Sequence, residues 1–321
     1  MKIAVIGSGV IGLTSAVVAL EEGHHVTIYT DKPAGETTSA RSGASFKPFS
    51  VAWNGLTAAM CKRSWIGFDR LTRYGDPEKT GVRLHDHWEA SSTPMKLRPF
   101  HSLLPGGVEL HEAPNVPGGH RYGIKYQTFF IDTSLFLPYL RGRVHDLGGR
   151  IVVREKFRNV AELAELPAEV VINCTGLGAR ELVGDTAMHA LKGQIAVIGP
   201  HPEIDYSISA DGFYIYPRYN DTVLGGTTEL DVESETADGG AVQLLVSGNK
   251  GVLPSLTLDQ VTKSYGGLRP YREGGPRLEA EPLGNRQLVH NYGHGGAGVT
   301  LSWGSAHMAL DLIAAPAPMV Y

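Results

Sequence analysis

The segment Gly7-Ser8-Gly9-Val10-Ile11-Gly12 constrains this 321-residue chain more than any other feature. It follows a β-branched run, Lys2 to Ile6, that reads as a buried parallel strand. It opens an apolar stretch from Ile11 to Glu21 that reads as a helix stopped by Gly23. His25 to Thr30 then alternates as a second strand and ends at Asp31. Parallel strands need a crossover connection and a helix supplies it, so these pieces form one βαβ unit. The first glycine permits the tight turn, the second lets a pyrophosphate approach the backbone, and the third lets the helix pack on the strand. The helix N-terminus adds N–H donors and the positive end of a dipole. Asp31 falls 19 residues after Gly12, where a ribose-binding carboxylate belongs. The unit predicts an adenine dinucleotide and leaves NAD and FAD open.

Composition narrows the class. The chain has 40 glycines, where average usage of ~7% gives about 22. They carry no G-X-Y period and 42% of the chain is hydrophobic, which excludes collagen and disorder. Their work is therefore in folded backbone. The charge of −4 has no basic run behind it, so nucleic acid is not the expected partner. Cys61 and Cys174 form no CxxC, which predicts neither a disulfide framework nor a zinc knuckle. No metal is expected, because His24/His25 and His85/His87 lack ligand company. The uncharged run Ile3 to Leu20 imitates a signal peptide or short span. Its glycine spacing and the following Glu21-Glu22, with no small-residue cleavage site, argue against both. Pro318-Met319-Val320-Tyr321 is no peroxisomal tripeptide. The expectation is a cytoplasmic protein without a membrane partner.

Along the chain, helices are predicted at Leu56 to Tyr74 and Ser134 to Leu147. Strands are predicted at 150–154, 169–174, 194–198, 212–217 and 223–226. The segment Gln287 to Ile313 reads as a strand, a glycine loop and a long helix. A discontinuous two-domain α/β architecture follows. Residues 1–52, 131–184 and 264–321 are assigned to the nucleotide-binding domain, and 53–130 and 185–263 to a substrate domain.

Four further motifs carry chemistry. Thr37-Thr38-Ser39-Ala40-Arg41-Ser42-Gly43-Ala44 offers hydroxyls to phosphates and room for a flat ring, although an ordinary solvated loop has the same composition. His290-Asn291-Tyr292-Gly293-His294-Gly295-Gly296-Ala297-Gly298-Val299-Thr300 places four glycines before a helix start. Several N–H groups then converge on one point, which suits the anionic edge of a reduced flavin and favours FAD over NAD. Alternation sets Tyr214 and Tyr216 on one face of a strand, either lining a pocket or filling core. Arg269, in Gly267-Leu268-Arg269-Pro270, reads as a loop residue that offers a bidentate fork to a carboxylate or simply sits on the surface.

These motifs, with Asn173-Cys174-Thr175-Gly176, occur in the order seen in D-amino-acid oxidases, and the chain resembles that family over essentially its whole length. The resemblance implies non-covalent FAD in a Rossmann-type FAD-binding domain, beside a discontinuous α+β substrate domain on a mixed sheet. It implies that Arg269 pairs with the substrate carboxylate and also touches the cofactor, that Tyr214 hydrogen-bonds the carboxylate, and that the Gly296 carbonyl accepts from the amine. Gly7, Ser8, Gly9, Val10, Ile11 and Gly12 would hold the pyrophosphate, and Asp31 with Lys32 the adenosine ribose. Thr37, Thr38, Ser39, Gly43, Ala44 and Ser45 would line phosphate and flavin. Phe157 would fall near adenine and Thr175 near the dinucleotide. Gly293, Gly295, Gly296, Ala297, Gly298, Val299 and Thr300 would lie at the flavin pyrimidine edge.

The implied reaction is oxidative deamination of a D-amino acid. The Cα hydride passes to flavin N5, the imino acid hydrolyses to 2-oxo acid and ammonia, and dioxygen becomes hydrogen peroxide. Substrate and dioxygen are the implied partners, and a homodimer is compatible by resemblance. Two rivals stand beside this reading. One is a biosynthetic amine or imino-acid oxidase or dehydrogenase acting on a larger carboxylate-bearing metabolite. The other is a flavin-binding protein without turnover, which retention of Arg269 and Tyr214 disfavours.

Three departures from the family are visible. The stretch Ser207-Ile208-Ser209-Ala210-Asp211-Gly212 lacks the second active-site tyrosine and predicts a short lid over an open pocket with fast product release. Lys47, where relatives carry an uncharged residue, predicts a cation beside the pocket that draws acidic side chains or assists oxygen, or else a Lys paired with a surface carboxylate. Thr228 stands where D-aspartate oxidases favour Arg, so acidic specificity does not follow.

Overall fold

The computed structural model describes residues 1–314, and the C-terminal residues Pro318 to Tyr321 read above lie outside them. The β-branched strand Lys2–Ile6 is buried along four of its five residues, as a central parallel strand must be. It pairs in parallel with His25–Thr30 on one side and Val170–Asn173 on the other. Among the described residues the sheet has six strands, ordered Arg277–Leu283, Arg286–Tyr292, Val170–Asn173, Lys2–Ile6, His25–Thr30 and Arg150–Val153. Only the first pairing is antiparallel.

The helix Val10–Glu21 packs within a core shared with Gly55–Tyr74, Thr133–Asp146 and Gly298–Ala314. Small residues bring two of these helices together. A Cβ on Gly304 would lie 2.0 Å from the Met60 carbonyl oxygen, and one on Gly67 would lie 2.7 Å from Trp303 Cγ. Ser64 Oγ accepts from the Gly304 N–H at 2.7 Å. The helix Gly55–Tyr74 therefore packs on the dinucleotide-binding core, although its sequence position suggested the substrate domain.

Among the described residues a second sheet has ten strands. Its path runs Glu229–Leu230, Met188–Ile198, Thr222–Gly225, Phe213–Pro217, Ser207–Ala210, Val82–Ser91, Tyr122–Ile131 and Ala44–Ser45. Val261–Arg272 adds onto Met188–Ile198, and Glu109–Glu112 onto Tyr122–Ile131. Arg269 consequently sits in a strand opposite Leu191, not in a loop, and residues 264–272 run in this sheet rather than the dinucleotide-binding one. Pro270 is tolerated because, among the described residues, the far side of its strand carries only an isolated bridge, Tyr271 to His294, so that edge has no continuous ladder for a missing N–H to interrupt.

The stretch Ser207–Ala210 is a strand, turned into Phe213–Pro217 by Asp211 and Gly212. Both turn residues have positive φ, 43° and 93°, as a two-residue hairpin turn requires. The segment predicted to be a short lid is thus part of the sheet floor. Among the described residues no helix is long and apolar enough to cross a membrane.

Candidate active site

The glycine turn is built as its spacing requires. Gly7 has φ 107° and donates its N–H to the Tyr29 carbonyl at 2.8 Å. A Cβ on Gly12 would stand 1.9 Å from the Gly7 carbonyl oxygen, so only glycine lets the helix start this close to the strand. In front of it opens a cleft of about 460 Å³. Gly7, Ser8, Gly9, Val10 and Ile11 line it, with Asp31, Lys32, Thr37, Thr38, Ser39, Phe157 and Thr175. From the far end of the chain come Arg269, Gly293, Gly295, Gly296, Gly298 and Val299.

The other predicted cofactor residues stand behind this surface. Gly12 underlies Gly7, and Ala297 is fully buried. A Cβ on Gly43 would touch Val223 Cγ1 at 3.1 Å and Tyr216 Cδ2 at 3.2 Å. Ala44 and Ser45 pair with Ile131 and Phe130. Thr300 Oγ1 lies 3.1 Å from both the N–H and the carbonyl oxygen of Lys47, tying the loop to the last helix.

The cleft fits a flat dinucleotide. The N-terminal end of the first helix faces it, with Ser39 Oγ accepting from the Val10 N–H at 3.1 Å. His294 also lines the cleft, 1% exposed, with its Nε2 unpartnered among the described residues. A buried polar atom without a partner is costly unless a ligand supplies one. Arg154 stacks over Phe157 at 3.8 Å and Tyr29 meets that ring edge-on, which makes an aromatic wall at the expected adenine end.

Arg269 and Gly296 are 27 residues apart in sequence yet touch, since a Cβ on Gly296 would come within 3.2 Å of Arg269 Cδ and 2.7 Å of Phe49 Cδ1. The guanidinium donates to the carbonyls of Thr227 at 3.1 Å and Lys192 at 3.4 Å, and lies over the Phe49 ring. It makes no ion pair among the described residues. Burial pulls its pKa below the ordinary value, against the raising influence of Tyr214. Two carbonyls orient a cation without neutralising it, so the site is short of one carboxylate. Gly193, which sequence reasoning overlooked, makes the geometry possible: a Cβ there would fall 2.1 Å from an Arg269 Nη. Its only sequence signal was a glycine inside an apolar strand.

Tyr214 lies across Gly225 and Gly226, where a Cβ on Gly225 would stand 1.9 Å from the tyrosine Cζ. It stacks on Tyr216, centroids 4.4 Å apart, so the two rings do share one face. Burial raises the Tyr214 pKa despite the charges of Arg269 and Arg218, and the phenol keeps its proton. Burial likewise raises Tyr216.

Lys47 is not a free cation. Its Nζ is 3.2 Å from Glu89 Oε1, and both side chains are nearly buried. The same oxygen accepts from Tyr126 at 2.8 Å and from Arg98. Burial pushes the Glu89 carboxyl up, but the His101 ring, its Nε2 3.6 Å away, and the charges of Lys47 and Arg98 hold it well below the carboxylate range. Burial pulls Lys47 below its ordinary value, opposed by Glu89. The partner is a buried carboxylate, which neither sequence expectation for Lys47 included. Beside it, Ser207 Oγ contacts His87 Nδ1 at 2.6 Å and His85 Nε2 at 2.9 Å.

These groups set an acid response. Burial lowers His85 and His294 from 6.5 to about 3, and His87 well below 6.5. Each refuses a proton that the unfolded chain accepts, so stability is present above 6.5 and is lost as pH falls toward 3. Glu89, also depressed, acts in the same direction below the ordinary carboxylate value. Urea midpoints should fall steadily between about pH 6.5 and 4; a flat profile there contradicts the assignment.

The comparisons with known proteins agree with this construction. The DAO family, described as FAD dependent oxidoreductase, matches residues 2–312. A protein named D-amino-acid oxidase from Streptomyces coelicolor is 36% identical over 97% of this chain and 96% of its own. Another of that name, from Rubrobacter xylanophilus, is 34% identical over 98% and 96%. Among solved structures, glycine oxidase from Geobacillus kaustophilus superposes with a TM-score of 0.80 at 18% identity, covering 98% of this chain and 95% of that one. L-Proline dehydrogenase from P. horikoshii gives 0.76 at 14%, over 97% and 92%, so the fold is shared by enzymes of different names. With its glycine turn, paired glycine-rich helix start and full-length family match, the chain belongs to the DAO family of FAD-dependent oxidoreductases, and FAD is its cofactor.

Proposed function

We propose that the protein oxidises D-amino acids to imino acids, which water converts to 2-oxo acids and ammonia, with dioxygen reduced to hydrogen peroxide. The observation that carries this reading is Arg269, a partly buried guanidinium without a carboxylate partner among the described residues, fixed at the edge of the dinucleotide cleft. FAD, when bound, supplies the acceptor for the two electrons that leave the substrate Cα. The chain's part is orientation. Arg269 takes the substrate carboxylate as a bidentate partner, the neutral Tyr214 hydroxyl donates to it, and the Gly296 carbonyl accepts from the amine. Two fixed ends and one fixed face of Cα select a single enantiomer. His294, held neutral by burial, takes no proton. Small molecules alone are the proposed partners, acting on a cytoplasmic homodimer with non-covalent FAD.

The test is anaerobic mixing of the purified holoprotein with matched D- and L-amino acids. D-Isomers alone should bleach the flavin absorbance, and readmitting air should restore it with one peroxide per substrate consumed. Bleaching by L-isomers, or by none, overturns the reading.

A further inference from the structure

The segment between the strand Glu229–Leu230 and the helix Gly239–Asn249 is irregular, and its residues 231–238 are exposed or half-exposed. Both of its feet are held by one side chain, Gln194, which is 1% exposed. Gln194 Nε2 donates to Glu229 Oε1 at 2.8 Å and to Asp238 Oδ2 at 3.1 Å, while its Oε1 accepts from the Asp238 N–H at 2.8 Å.

The crown between those feet is tied differently. Glu233 pairs with Arg180, and Glu235 pairs with Arg41 at 2.9 Å and Lys32 at 3.5 Å. Those three cations lie on connections of the dinucleotide-binding half: Lys32 after His25–Thr30, Arg41 ending Thr38–Arg41, and Arg180 shortly after Val170–Asn173. The segment itself hangs from the ten-stranded sheet. Glu233 and Glu235 line the cleft and are also solvent-exposed, so they stand on its rim. Gly266 lets the crown lie flat, since a Cβ there would be 2.8 Å from the Glu235 carbonyl oxygen. Little apolar surface holds the crown down, because Val232 and Ala237 are its only apolar residues.

We propose that residues 231–238 form an ionic strap across the rim of the FAD cleft, closed by Glu233 and Glu235, and that its opening sets the rate at which FAD leaves. The Gln194 clamp keeps the strap's ends in place while the crown opens. Exposed ion pairs are individually weak and are screened by salt. A closure built almost wholly from them is accordingly reversible and responds to ionic strength.

The experiment compares the holoprotein with its Glu233→Gln/Glu235→Gln variant by following flavin fluorescence as FAD dissociates after dilution, from about 0.02 M to 1 M salt, a range over which screening shortens to about 3 Å. At low salt the variant should release FAD on the order of fivefold faster, the sum of a few exposed pairs. At 1 M salt the two rates should converge, because the wild-type pairs are then screened. Circular dichroism of both apoproteins checks that the fold is retained. Equal rates at low salt overturn the proposal. So does slower release from the variant, which would mean that the two carboxylates compete with the diphosphate for the same cations. A gap that persists at 1 M salt also overturns it, because packing and not charge would then close the strap.

Discussion

Replacing Arg269 by Met should give a folded, yellow protein whose kcat/KM for D-amino acids is lower by on the order of a thousandfold, the scale expected when one partner of a buried charge pair is removed. The cation is oriented by the Thr227 and Lys192 carbonyls and meets no acidic side chain among the described residues, which is why the proposed function gives it the substrate carboxylate. Met preserves the packing of the stem and removes only the fork. Lys should recover little, because a point charge does not reproduce two parallel hydrogen bonds. Gly193→Ala tests the same assignment with Arg269 left intact. Its Cβ would fall 2.1 to 2.4 Å from the guanidinium atoms and must displace them. A misplacement of about 1 Å costs about a hundredfold in rate. Steady-state kinetics with unchanged flavin absorbance reads both variants. Activity within tenfold of wild type in the Met variant would remove Arg269 from the substrate site.

The second large effect is on the cofactor. Gly12→Ala puts a Cβ 1.9 Å from the Gly7 carbonyl oxygen, so the helix must move off the strand that presents the glycine turn. Overpacking of this kind costs about 3 kcal/mol, which corresponds to more than a hundredfold in FAD affinity. The variant should purify colourless and regain colour only in a large excess of FAD. Gly142→Ala is the control: it lies inside the helix Thr133–Asp146 with open space around its Cβ, and it should bind FAD as wild type does. A yellow Gly12→Ala protein at equimolar FAD would show that the turn tolerates displacement.

The cofactor half was legible because its information is local. Gly7, Gly9, Gly12 and Asp31 belong to one βαβ unit, in which spacing along the chain is spacing in the fold. The same holds for Gly293 to Thr300, which open the last helix. The boundaries of the first two strands and of the helix ending at Glu21 fell where alternation and glycine placed them.

Where the two halves meet, the sequence was ambiguous or misleading. Gly267 and Pro270 around Arg269 signalled a loop, but an edge strand satisfies the same residues once Met188–Ile198 is there to pair with. Lys47 was read as a cation at the pocket or as one paired with a surface carboxylate, because Glu89, 42 positions away, carried no spacing that linked them. The helix Gly55–Tyr74 showed an amphipathic pattern, which reports that a face is buried but not against what; Gly67 and Gly304 decided that.

The sequence by itself therefore determined the dinucleotide fold and the cofactor class, and through the family resemblance it nominated Arg269, Tyr214 and Gly296 for the proposed substrate site. Tertiary structure alone decided that Gly193 opens room for the guanidinium, that Glu89 pairs with Lys47, and that Glu233 and Glu235 meet Arg180, Arg41 and Lys32 beside the cleft. The reason is physical: turns and helix starts are governed by φ/ψ and neighbours a few residues away, whereas pairing between distant segments depends on the packing that brings them together.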